Sequence, residues 1–301
     1  MRPFNAYHQE VGVSRHFPVS HLNSPTVFET TDGQLGMVLR LQGVAFDTET
    51  DEQLNHYRNL WNQALLSLGA GFCLYSYVMR RKVAVDFSGA FQDDFSRTVD
   101  AQYHSQFKAD CLYRNQLYLV LLYRGVTFSR INQYAGFLHK ITRSTVSQHY
   151  QQARAQAMVT LQKAVGQLLA TLSTFKPELL GQRDAQLGYA ELLQFLAYFL
   201  NGLTHAFTGN RMAPGCSVQS HMHAEQASSL YPQKHLAYQL ASHRMFFGRA
   251  VEFQAEGMPS RFASMISVKD YATETNTIIL DKLLQLECEF ILTNSFCHRV
   301  A

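Results

Sequence analysis

The sequence predicts an α+β fold. Two related strand-strand-helix-strand units form a mixed or antiparallel sheet, and a long helical hairpin is inserted between them. Three observations lead there. Near the C-terminus, Phe246 to Phe253 alternates loosely, Glu256-Gly257-Met258-Pro259 reads as a turn, and Phe262 to Val268 is a second strand. A helix with Ile279, Leu283 and Leu286 at helical spacing follows Thr273-Glu274-Thr275, and Cys288 to Leu292 returns as a strand. Near the N-terminus the same order recurs. Thr26-Val27-Phe28 and Leu35 to Leu41 flank the turn Thr31-Asp32-Gly33, Thr48-Glu49-Thr50 opens a helix, and Phe72 to Arg80 returns. Between the units, residues 144–204 carry long apolar periodicities of helical spacing.

In chain order, residues 1–25 are polar, punctuated by Pro3, Pro18 and Pro25, and read as an extended lead segment. Residues 26–301 read as a single domain, with a first unit over 26–130, the helical insertion over 144–204, a loop over 205–240 and the second unit over 243–296. In the first unit, Thr50 and Gln53 fit a capping box, and Leu54, Tyr57, Trp61, Ala64, Leu65 and Leu68 share one helical face. Asp93-Asp94 suit the positive end of a helix whose face is Phe95, Val99, Tyr103 and Phe107. The run Leu117 to Tyr123 is continuously apolar, as a strand buried on both faces should be. From Val146 to Phe175 apolar residues recur every three or four positions, giving a helix about 45 Å long that Pro177 ends. A second helix, Ala185 to Leu203, is apolar nearly all round, so it is either central to the fold or covered by a partner, and Phe195 and Phe199, four apart on one face, are the positions such a partner would meet.

Composition bounds the function. The chain of 301 residues is 47% hydrophobic, enough for a real core, and its net charge of +3 is too mild for the clustered basic face of a nucleic-acid binder. The sharpest basic run, Arg80-Arg81-Lys82, reads as a solvated edge. Five cysteines form no CxxC pair; Cys73 and Cys288 lie in apolar strands and read as packing thiols in a reducing compartment. No apolar run reaches signal-peptide or membrane-helix length, which suggests a cytoplasmic protein, soluble or peripheral to a membrane.

No catalytic, cofactor-binding or metal site emerges. Cys216, His221, His223 and Glu225 share a loop, but no second HxH, HExxH or CxxC completes a zinc set, so surface histidines are the better reading. No GxxxxGK[ST] is present to cradle phosphates. Thr277 to Asp281 has the outline of a Walker B strand, but its apolar face continues through Leu283, Leu284 and Leu286 as a helix would. No GxSxG marks a nucleophile.

The residues do resemble a known family, the N-terminal domain of the type IV secretion and conjugal-transfer ATPases of the CagE/TrbE/VirB group. The likeness covers most of the chain. It runs through Asp32-Gly33, Leu39-Arg40-Leu41-Gln42-Gly43, the helix bearing Leu54 and Leu65, Tyr77 to Arg81, Leu117-Tyr118-Leu119 with Tyr123-Arg124, and Ile266 to Tyr271 with Thr273-Glu274-Thr275. Its most specific segment is Glu289 to Phe296, EFILTNSF.

The resemblance implies a docking and assembly domain at the cytoplasmic face of the bacterial inner membrane. It would contact inner-membrane subunits and other copies of a hexameric motor. Direct nucleic-acid binding is not expected. In the family, ATP and magnesium belong to a motor domain beyond this point, so this chain is expected to lack ATPase activity and cofactors of its own. The competing expectation is a small nucleic-acid-binding α+β protein, resting on the mild positive charge and the run Arg80-Arg81-Lys82.

Overall fold

The computed structural model describes residues 15–44, 49–83, 93–106, 112–124, 143–181, 191–203, 207–208, 211–212, 236–241, 243–254, 259–267, 283 and 285–298. The strands are β1 (Val19–Ser24), β2 (Val27–Thr30), β3 (Leu35–Leu41), β4 (Phe72–Lys82), β5 (Tyr113–Tyr123), β6 (Pro177–Leu179), β7 (Phe207–Thr208), β8 (Arg211–Met212), β9 (Arg244–Phe247), β10 (Val251–Gln254), β11 (Arg261–Ala263) and β12 (Phe290–Cys297). The helices are α1 (Asp51–Ser67), α2 (Asp94–Gln106), α3 (Arg143–Thr171), α4 (Glu191–Leu200) and α5 (Leu236–Leu240). The class is α+β, as the sequence predicts.

The main sheet is antiparallel, in the order β1-β2-β3-β5-β4-β12. β3 spends its outer edge twice: β2 pairs with Leu35 and Gly36, and β6 pairs with Leu39 to Leu41. β5 lies at the centre because its apolar run can fill both faces. Tyr118 and Val120 enter one core, and Leu119 and Leu121 the other. The first core holds α4 and α5, the second α1 and α3. The sheet is therefore a middle layer with helices on both sides.

Several elements follow their local chemistry. Thr50 accepts a hydrogen bond from the Gln53 amide, and Gln53 returns one to the Thr50 amide, so α1 opens on the expected capping box. In α3, Ala157, Leu161, Ala164, Val165 and Leu168 are buried as one stripe. After it, a tight turn over Ser173–Phe175 ends at Lys176 with φ 49°, and Pro177 begins β6. Asp93 caps α2 by accepting from the Ser96 amide at 2.6 Å; that bond, with one from the Ser96 hydroxyl, holds its carboxyl below the usual range.

Four expectations are corrected. The helices α3 and α4 do not form a hairpin; each buries its apolar face on a different side of the sheet. The second unit does not repeat the first. The single strand expected over Phe246 to Phe253 instead turns back at 248–250 as the antiparallel pair β9–β10. β11 covers only Arg261–Ala263 of the expected Phe262 to Val268 and adds antiparallel to β10. These three make a separate sheet, while β12 crosses to the edge of the main one. In the first unit, hairpin and returning strand share one sheet. On α2, Phe95, Val99 and Tyr103 are exposed rather than packed. Finally, Cys73 is not a free packing thiol. It lies opposite Cys297 on β12 and the two form a disulfide, while Cys288 precedes its strand and is exposed. The helix start Thr273 to Thr275 lies outside the described residues.

Candidate functional site

The face of the sheet that carries α4 is only partly covered. Between α4, the strands β4 and β5, and the β9–β10 hairpin runs a groove of about 590 Å³. Period-two alternation puts Tyr75 and Tyr77 of β4 on its floor, with Val120 and Leu122 of β5 beside them. One wall is Phe195 and Phe199, four apart on α4 and so on one helix face. The other is Met245, Phe247 and Phe253. Polar groups stand among the lining, from His16, Thr30, Asp32 and Gln34.

The end of α4 fixes the two walls against each other. Gly202 takes φ 61°, which turns the chain and lets the Phe253 ring approach its Cα closely. Asn201 is fully buried, donates to the Leu240 carbonyl at 3.0 Å and meets His243 Nδ1 at 3.3 Å. One side chain thus ties α4 to α5 and to the start of β9.

The aromatic rings pack edge to face. Phe199 sits 5.3 Å from Tyr77 and 5.2 Å from Phe195, with interplanar angles of 73° and 81°. Burial pushes the Tyr77 hydroxyl up to about 12, with Tyr75 adding to it, so Tyr77 stays a neutral phenol. The groove therefore offers apolar surface, ring edges and a few polar groups, one of them the Asp32 carboxylate.

Phe195 and Phe199 are the positions that helical periodicity singles out, and the structure brings both to this groove. Phe195 is nearly buried, so it is core as well as wall; Phe199 is half-buried. Tyr75, Tyr77, Met245, Phe247 and Phe253 come from distant segments, and only the two-residue spacing of the tyrosines hinted at a shared face. Of the basic run, Arg81 turns inward, Arg80 is partly covered and Lys82 stays exposed. Arg80 lies 4.5 Å over the Tyr113 ring and donates to the Leu286 carbonyl. Arg81 is buried, donates to Gln116 and stacks 4.1 Å over Tyr198. Among the described residues, no group of three His, Cys, Asp or Glu stands ready for a metal. The loop with Cys216, His221, His223 and Glu225, and the pair Leu280-Asp281, lie outside the described residues. No helix among the described residues is long and apolar enough to cross a membrane.

Two family models match. Residues 26–129 match the N-terminal domain of the type IV secretion system ATPase VirB4/TrbE, and residues 178–298 match the CagE, TrbE, VirB family, a component of the type IV transporter system. The chain is 26% identical over 284 residues to the type IV secretion system protein virB4 of Bartonella henselae, covering 93% of this chain and 33% of that protein. It is 22% identical to virB4 of Brucella suis, with 98% and 32% covered, and 24% identical to PtlC of Bordetella pertussis, with 92% and 31% covered. The chain thus spans about a third of the length of these relatives. The two models lie one after the other and take in β2 to β5 and β12 of the main sheet, α1, α4 and the hairpin that walls the groove, and the chain belongs to the CagE/TrbE/VirB family of type IV secretion components.

Proposed function

We propose that this chain is a docking and assembly part of a type IV secretion ATPase. It contacts inner-membrane subunits of the machine and other copies of the motor at the cytoplasmic face of the membrane. The observation that carries the reading is the aromatic groove. A pocket of this size, walled by Phe199, Tyr77, Met245 and Phe247, suits an apolar peptide segment such as a membrane subunit presents near the bilayer. The relatives supply the context, since they are named as type IV secretion proteins.

In this reading ATP hydrolysis belongs to other parts of the longer family members, and we assign no catalytic residue and no cofactor to this chain. Purified chain is expected to turn over no ATP; turnover abolished by a substitution such as Asp281→Asn would refute this part. The docking part is tested by incubating the folded chain with membranes that carry a secretion apparatus. Recovery of membrane subunits supports it, and a folded chain that recovers neither membrane nor motor subunits contradicts it. Binding to nucleic acid that falls steeply with salt would favour the competing reading instead.

A further inference from the structure

The main sheet has two ends, and they are treated differently. At one end β1 is blunted. Its pairing with β2 shifts register twice, Pro18 and Pro25 flank it, and α5 packs on it. At the other end β12 pairs with β4 without a register shift over all eight residues. It contains neither proline nor a charged residue.

The pairing tells which backbone groups of β12 are free. The His298 amide donates to the Phe72 carbonyl at 3.2 Å, so even-numbered residues exchange hydrogen bonds with β4. Cys297 and Cys73, with Cα atoms 4.1 Å apart, then form a non-hydrogen-bonded pair, which agrees. The amides and carbonyls of Ile291, Thr293, Ser295 and Cys297 therefore point away from β4, and among the described residues they meet no partner. Such a row is a template for another strand.

We propose that the partner is β12 of a second copy of this chain, paired antiparallel across a two-fold axis at Asn294. This register sets Ile291 opposite Cys297 and Thr293 opposite Ser295, so all four free positions on each copy are used. It also sets Leu292 against Phe296, which is 37% exposed in the single chain. The strand is self-complementary, as a two-fold interface requires. This deepens the assembly part of the proposed function and rests on it; the membrane-docking part is independent.

The test uses two double variants of the full chain, each checked for folding by circular dichroism. Thr293 and Ser295 are exposed, so both variants should fold. Thr293→Lys with Ser295→Lys sets lysines opposite lysines; Thr293→Glu with Ser295→Glu does the same with carboxylates. Sedimentation equilibrium should show a wild-type dimer, dissociation constants raised at least tenfold in each variant, and a dimer restored by mixing the two. In a background with Cys111, Cys216 and Cys288 all replaced by Ser, Asn294→Cys should cross-link to itself under mild oxidation, and the background alone should not. A monomeric wild type, a dimer indifferent to the lysine pair, no rescue on mixing, or a dimer without the Asn294→Cys cross-link would each overturn the proposal. Membrane capture separates the two readings: a monomer still captured by membranes sinks the strand pairing and leaves docking intact.

Discussion

The Arg40 guanidinium lies 2.6 Å from the Glu178 carboxylate and joins β3 to β6. Its other amino group reaches Glu191, at the head of α4, at 3.3 Å. One cation thus pins both the short strand that closes the edge of β3 and the helix that walls the groove. Replacing Arg40 with Met takes the cation away from two partly buried carboxylates, of which Glu178 keeps its hydrogen bond from Gln42. The expected loss is about 1–3 kcal/mol, the range for charge-assisted hydrogen bonds, because both acids keep some contact with water. Urea unfolding measures it, and a loss below about 0.5 kcal/mol would show the pair to be no more than an exposed surface bridge.

Stability should fall below neutral pH through His21. This ring on β1 is buried, which lowers its pKa below the ordinary 6.5, with Arg154 pushing the same way and Glu29 opposing. The unfolded chain then binds a proton near pH 6.5 that the folded chain refuses. Stability is complete above that pH and is lost as pH falls from about 6.5 through the lower folded value. His243 is lowered by burial and Arg261, and adds a second contribution of the same sign. Thermal melts at pH 7.5 and 5.5 should differ, and His21→Gln should shrink the difference. An unchanged difference would assign the effect elsewhere.

Gly181 cannot be replaced. Its φ is 93°, and a Cβ there would sit 2.2 Å from the Pro25 carbonyl oxygen. Gly181→Ala should cost about 2 kcal/mol or more, from left-handed strain and the clash with backbone. Gly69→Ala is the control, since its Cβ would meet nothing within 4 Å. Equal melting temperatures for the two variants would contradict the geometry.

Leu161 anchors α3 to the sheet and is fully buried, whereas Leu66 on α1 is 83% exposed. Leu161→Ala should cost about 2–5 kcal/mol and Leu66→Ala well under 1. Chemical denaturation of both variants checks the assignment of the second core to α3.

Local chemistry was legible in the sequence where it is self-contained. The capping box at Thr50, the doubly buried β5 and the stop at Pro177 each depend on residues within a few positions of one another. An apolar stripe states that α3 buries a face but not which side of the sheet receives it, so the hairpin with α4 was a false join. Likewise, nothing in the pattern of β12 says that it pairs with β4, across 224 residues at the Cys73–Cys297 link. Arg81 shows the same limit. A basic run reads as solvent-facing until a ring such as Tyr198 and an amide such as Gln116 enclose one head. The groove was half visible, through Phe195 and Phe199, because its floor and far wall come from other segments.

The central claim is that the aromatic groove takes up a membrane subunit, and Phe199→Asp tests it most directly. Phe199 is half-buried on the groove wall, so a carboxylate there would be trapped, unpaired, under any bound apolar segment. Wild-type chain and variant, both verified as folded by circular dichroism, are mixed with membranes carrying the secretion apparatus, and the captured subunits are quantified. Leu66→Asp, at an exposed site on the opposite side of the sheet, serves as control. The account predicts at least tenfold less capture by folded Phe199→Asp and full capture by the control. Capture by folded Phe199→Asp equal to wild type would contradict it.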